Sequence, residues 1–167
     1  MFTLYEDWRA LDGDDAAEIQ NMLAAHRRYA AYLEENCARF PVSAFEYASA
    51  PWRNNFSDHR APHDAWVASI HFIDRSLPTA GGERATDLEL VLLGAYHDGY
   101  LHLRYRGVRS FQLSSKHADT SPTEVYRDEV RLSDRGLVLH EIEFLGRDNW
   151  LIECRDIEFE WRPTSSP

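Results

Sequence analysis

The chain has 167 residues, of which 44% are hydrophobic and 28% charged, a composition that indicates a folded protein and argues against wholesale disorder. Its formal net charge of −10 argues against nucleic-acid binding, because phosphate recognition requires clustered Lys and Arg side chains. The same charge permits a basic protein partner.

No stretch approaches the roughly 18 apolar residues of a membrane span, and no apolar segment typical of a secretory signal precedes the first helix. We therefore predict a cytoplasmic protein that does not bind membranes, with Cys37 and Cys154 reduced. Each cysteine is expected to pack as a small apolar residue, because the pair lacks metal or redox spacing. Gly81-Gly82 lacks the rest of a phosphate-binding loop, and we expect no cofactor.

The clearest helix is predicted for residues 14 to 37, with Asp14 as its N-cap. Apolar residues recur there at three- and four-residue steps, which places them on one face. Phe40-Pro41 ends this helix, because proline disfavours helical geometry in the residue before it. Residues 42 to 49 fit a short second helix that stops before Pro51.

From Asp64 onward the period changes to two, which is typical of β-strands. Short turns separate the strands, so neighbours are antiparallel; in the turn at residues 97–99, Gly99 is expected to supply a positive φ. Gly107 is a candidate bend. The phase of alternation changes between Cys154 and Ile157, which predicts a β-bulge at residues 155–156. The predicted strands span residues 66–73, 88–96, 101–113, 125–132, 137–145 and 150–161.

Together these elements predict a single α+β domain over residues 1–167. The long N-terminal helix, with the short second helix, packs on an antiparallel β-meander of about six strands within residues 64–161, strongly curved or half-barrel. Antiparallel edges of such a sheet can also pair between subunits to form an oligomer.

The eight histidines of the chain raise the question of a metal site. The candidate ligands are His63 and the adjacent Asp64, together with His71 and His140 in two predicted strands. A structural role is favoured for His63 and Asp64, because Pro62 indicates a loop in which the four-residue spacing of His59 and His63 no longer aims them at one ion. Shared ligation by the strand histidines His71, His102 and His140 is disfavoured, because Arg104 and Arg106 beside His102 would repel a cation.

Glutamates alternate along the last two predicted strands. Glu141 and Glu143 share a face that we expect to be solvated, and the final strand carries a similar acidic face. We predict that this acidic sheet surface is the docking site for a basic partner, although edge strands also use charge to prevent aggregation. The predicted partner-binding residues are Glu153, Asp156, Glu158 and Glu160.

The segment Pro62-His63-Asp64-Ala65-Trp66 opens the first strand. With the meander after it and the acidic, aromatic last strand, it resembles small uncharacterised bacterial α+β domains whose sheet opens with an HD dipeptide. The resemblance covers residues 60 to 161. Some compact, acidic bacterial domains of similar build are immunity proteins, which implies a protein-binding role by analogy and assigns no residue.

Two hypotheses follow. The preferred one is a non-enzymatic protein-binding module, immunity-like or accessory, that acts through the acidic sheet face. The alternative is a small-molecule or metal-binding domain, or an unrecognised enzyme, with its site near His63, Asp64, His71 and His140. No catalytic motif supports an enzyme directly.

Overall fold

A computed structural model of the protein describes residues 15–75, 86–114, 124–146 and 148–164. The chain forms two compact units, Met1–Arg39 and Phe40–Pro167. The first contains helix α1, Asp15–Asn36, followed by a 3-10 turn at Cys37–Arg39. This confirms the long N-terminal helix, while the predicted N-cap Asp14 lies outside the described residues. In the described parts of the chain, no helix has the length and apolar character needed to cross a bilayer.

The second unit begins with the predicted short helix. Helix α2 spans Val42–Ala48 after Pro41 and is followed by a 3-10 turn at Pro51–Asn54. The Asp156 carboxylate binds the start of α2, accepting hydrogen bonds from Ser43 Oγ at 2.6 Å and from the Ala44 amide at 3.1 Å. A carboxylate at this end satisfies amides that the helix leaves unpaired, so α2 is held against the sheet.

In the part of the chain that the structure describes, eight strands form two four-stranded antiparallel sheets, in the orders β1-β2-β3-β8 and β4-β7-β6-β5. The α+β class and the antiparallel sheet are confirmed, whereas a single six-strand meander and a half-barrel are not. The strands are β1 Trp66–Asp74, β2 Thr86–Leu93, β3 Gly99–Arg106, β4 Ser110–Leu113, β5 Val125–Leu132, β6 Val138–Phe144, β7 Asn149–Cys154 and β8 Asp156–Pro163.

Two of the six predicted strands are divided because the chain passes from one sheet to the other. The first crossing lies at Gly107, which has a φ of +58° and donates its amide to Asp87 Oδ1 at 2.9 Å. The second lies at Arg155, whose amide donates to the Arg106 carbonyl at 2.8 Å. The phase change predicted as a bulge in one strand is therefore a change of sheet.

The inner faces of the two sheets carry most of the buried side chains. In the first sheet, Leu88, Tyr105 and Ile157 are neighbours across three strands and are fully buried. In the second, Ile152 lies beside His140, and both are buried. Tyr105 and His140 contact each other, so the two inner faces meet. Cys154 is also buried, as expected, whereas Cys37 is exposed because α1 ends before it.

The turn between β2 and β3 differs from its prediction. The positive φ, +58°, belongs to His97, whose amide donates to the Gly94 carbonyl at 2.8 Å. Gly99 is needed for another reason, since a β-carbon there would overlap the Trp161 indole. The glycine thus provides space for a ring, and a histidine takes the left-handed conformation.

Candidate functional site: a cleft lined by aromatic and acidic side chains

A cleft of about 550 Å³ opens beside the start of β1. At this point backbone hydrogen bonds link the chain before β1 to β5. The Asp64 amide donates to the Val125 carbonyl at 2.8 Å, and the Val125 amide donates to the Ala65 carbonyl at 2.9 Å. The cleft therefore lies where segments from both sheets meet, and its walls come from the loop before β1, the β2–β3 turn and the chain before β5.

One wall is a stacked pair of rings. Tyr96, in the β2–β3 turn, lies parallel to His59, with centroids 4.1 Å apart and an interplanar angle of 11°. His59 is itself held by a hydrogen bond from Nδ1 to the Asp98 carboxylate, and the Tyr96 hydroxyl donates to the Phe56 carbonyl at 3.2 Å. Tyr96 remains 50% exposed, so the rest of its surface is available to a ligand.

Two further aromatic rings line the cleft, and each of them also contacts one histidine ring. Phe56 lies 4.2 Å from His63, and Trp66 lies edge-on to His97 at 5.1 Å, both measured between centroids. Phe56 is 52% and Trp66 46% exposed. Large apolar rings are normally buried, so three half-exposed rings around one concavity form a candidate binding surface.

Three carboxylates also line the cleft. Asp58 is bound by Arg60 through Nε and Nη2, both at 2.9 Å, and these hydrogen bonds lower the pKa of Asp58 to about 2. Asp64 Oδ2 lies 2.9 Å from His63 Nδ1, and the Asp64 side chain is 58% exposed. Glu124 is half-buried beside Trp66.

The backbone of the cleft is unusual as well. Asp64 has a φ of +60° and His97 a φ of +58°, and these are the non-glycine residues with positive φ among those that the structure describes. This conformation brings the β-carbon close to the backbone and is uncommon for residues other than glycine, although Asp and His tolerate it better than most. Both residues line the cleft.

A second cluster of polar and aromatic groups lies deep between the sheets. Asp128 on β5 binds Arg53 Nη2 and accepts a hydrogen bond from His140 Nε2 at 2.8 Å. The Tyr105 hydroxyl lies 2.8 Å from His140 Nδ1, and the Arg53 guanidinium stacks over the Tyr47 ring at 4.5 Å. Because a carboxylate only accepts, Nε2 carries the imidazole proton and the Tyr105 hydroxyl donates to Nδ1.

The protonation states follow from this geometry. Burial by itself would raise the pKa of Asp128, but the charge of Arg53 and the hydrogen bond from His140 outweigh it and hold that pKa at about 2. Burial lowers the pKa of His140. The network therefore contains a carboxylate, a guanidinium and a neutral imidazole, and both imidazole nitrogens are already hydrogen-bonded.

The four predicted metal ligands do not form one cluster. His63 and Asp64 lie in the cleft, His71 is exposed on β1 opposite Glu89, and His140 is buried in the second sheet. Among the described residues, no group of three or more His, Cys, Asp or Glu side chains is arranged to hold a metal ion.

The predicted partner-binding residues are divided between the two sheets. Glu153 on β7 is buried, and Asp156 is occupied by the start of α2. The other two lie on β8, where Arg106 binds Glu158 through Nε at 2.9 Å and Nη2 at 2.7 Å, and Arg162 binds Glu160 at 2.6 Å. Docking of a partner on this surface remains a prediction.

The prediction that Glu141 and Glu143 lie on a solvated face is wrong. Glu141 is fully buried and accepts hydrogen bonds from Arg131 Nη2 at 2.7 Å and Asn149 Nδ2 at 2.9 Å. The Glu143 side chain is 14% exposed and accepts one from Arg127 Nε at 2.6 Å. Arg127 and Arg131, four residues apart on one face of β5, therefore bind Glu143 and Glu141 on β6.

Most of the cleft was missed by sequence reasoning, which singled out only His63 and Asp64. The three rings and Glu124 belong to separate segments that only the fold assembles. No protein-family model, curated protein or solved structure matches this chain. Any proposal of function therefore rests on the chemistry of the cleft.

Proposed function

We propose that this protein is a binding module, and that its cleft takes a positively charged group of the ligand. The observation that carries this proposal is the convergence of three half-exposed aromatic rings and three carboxylates in one concavity. The face of an aromatic ring attracts cations through its quadrupole, and carboxylates add a direct negative charge.

The volume of the cleft and the net charge of the protein support the same proposal. A volume of about 550 Å³ falls within the range of about 300–1,000 Å³ found for small-molecule sites. The net charge of −10 attracts cations over long range and repels anions.

A ligand series of constant size tests this proposal. Butylammonium, butanol and butyrate are titrated into the isotopically labelled protein, and backbone amide shifts are followed by NMR. We expect butylammonium alone to shift the amides around Trp66 and Tyr96. Trp66→Ala should abolish this response, whereas Phe72→Ala should keep it, because Phe72 is an equally exposed ring on β1 that faces Phe111. Equal responses to butanol or butyrate would contradict the proposal.

A second proposal is that a basic protein partner binds to β8, because the side chains of Glu158 and Glu160 on this strand are 44% and 57% exposed. The internal arginine partners of both residues make this the weaker candidate. A charge reversal at Glu160 tests it, with binding of a purified basic partner measured at several salt concentrations. Affinity that is unchanged by Glu160→Arg would exclude this surface.

A further inference from the structure

We infer that the cleft takes a small, soluble quaternary ammonium ion, with methyl groups on its nitrogen, in preference to a primary ammonium or a guanidinium. This inference rests on the proposed function and specifies its ligand class. It depends on how the carboxylates and the rings of the cleft are already engaged.

The first argument concerns hydrogen-bond acceptors. A primary ammonium has three N–H donors and a guanidinium five, and each donor that loses water must find an acceptor. Both oxygens of Asp58 already accept hydrogen bonds from Arg60, and Asp64 Oδ2 lies 2.9 Å from His63 Nδ1. Asp58 is thus already paired with the Arg60 guanidinium, and both carboxylates have fewer lone pairs to offer. A quaternary ammonium needs charge and no acceptor, so it fits this site better.

The second argument concerns the walls. Phe56, Trp66 and Tyr96 come from three different segments, and each ring has a histidine against it within 5.1 Å. Rings supported in this way lose little side-chain freedom when a ligand binds, which lowers the cost of association. N-methyl groups carry the positive charge on an apolar surface, so they gain both cation–π attraction and apolar contact with such walls.

The third argument limits the rest of the ligand. The cleft, at about 550 Å³, is larger than a trimethylammonium group and admits a short attached chain. A phosphate on that chain would approach Asp58, Asp64 and Glu124, and like charges repel. The occupant is therefore a free cation of the choline type and not the headgroup of a phospholipid.

Four related probes separate these statements: choline, ethanolamine, 3,3-dimethylbutan-1-ol and phosphocholine. Choline differs from ethanolamine by its N-methyl groups, and from the neutral alcohol by its charge alone. By titration calorimetry on the full-length protein, we expect choline to bind about tenfold more tightly than each of the other three. Trp66→Ala and Tyr96→Ala should each abolish choline binding, and Phe72→Ala should retain it.

Each alternative outcome has a distinct meaning. If ethanolamine binds as tightly as choline, the preference for a quaternary ammonium is wrong while the cation-binding function stands. If phosphocholine, free or on phosphatidylcholine vesicles, binds more tightly than choline, the restriction to a free cation is wrong. If the neutral alcohol matches choline, or if neither choline nor butylammonium binds, the inference and the proposed function both fail.

Discussion

Among the described residues, the pairs His140–Asp128 and His63–Asp64 both lie beside aromatic rings, and they differ mainly in burial. The His140 and Asp128 side chains are 1% and 9% exposed, and their polar atoms are hydrogen-bonded to Tyr105 on β3 and to Arg53 in the 3-10 turn after α2. The His63 and Asp64 side chains are 28% and 58% exposed and border a cleft. The same residue types are therefore part of the buried structure in one place and border the proposed ligand site in the other.

Burial changes what such a pair contributes to stability. Removing one partner of a buried ion pair leaves an uncompensated charge and costs about 3–5 kcal/mol, whereas exposed pairs contribute about 0–1 kcal/mol. In the cleft, a charge that is not required by the fold remains available to a ligand. Paired substitutions, one in each region, can test whether the two regions differ in this way.

The largest expected difference is between Asp128→Asn and Asp64→Asn. Asp128→Asn removes the charge that faces buried Arg53 and should lower the free energy of unfolding by about 3–5 kcal/mol. Asp64→Asn should cost less than about 1 kcal/mol, since the pair is exposed and Asn tolerates a positive φ. Urea unfolding followed by circular dichroism measures both. Similar losses in the two variants would show that burial does not separate the regions.

A smaller difference is expected between two tyrosine hydroxyls. Tyr105→Phe leaves the buried Nδ1 of His140 without its donor and should cost about 1–3 kcal/mol. Tyr96→Phe removes an exposed hydroxyl that binds the Phe56 carbonyl, and should change stability by less than about 0.5 kcal/mol. The same unfolding measurement applies. A loss in Tyr96→Phe as large as that in Tyr105→Phe would mean that the cleft is also a structural element.

The sequence predicted the parts of the fold that depend on local periodicity. Helices α1 and α2 and the antiparallel strands follow from spacings within about ten residues. The separation into two sheets was not predicted, because a bulge and a change of sheet produce the same shift of alternation at Arg155. The distinction depends on the contact between Arg155 and Arg106, which are distant in sequence.

The same limit applies to the two His–Asp regions. His63 and Asp64 were recognised as candidates because they are adjacent in sequence, but the rings that give the cleft its chemistry are contributed by other segments. His140 was considered as a metal ligand, and nothing local indicated that Tyr105 and Asp128 would occupy its two nitrogens. The sequence thus showed which residue types were present, but it did not show which of these side chains would be buried.

The smallest expected effect concerns the backbone of the cleft. His97 has a φ of +58°, a conformation that costs most L-residues about 1–2 kcal/mol. Glycine adopts this conformation freely, but it lowers the free energy of unfolding by about 0.4–1 kcal/mol because it increases the entropy of the unfolded chain. His97→Gly should therefore raise the free energy of unfolding by about 0.5 kcal/mol. It should also weaken choline binding, because Trp66 loses the ring beside it. If the variant is more stable and binds choline more weakly, the strained backbone at His97 serves ligand binding and not stability. If the variant is less stable, His97 contributes to the stability of the fold, as the buried network does.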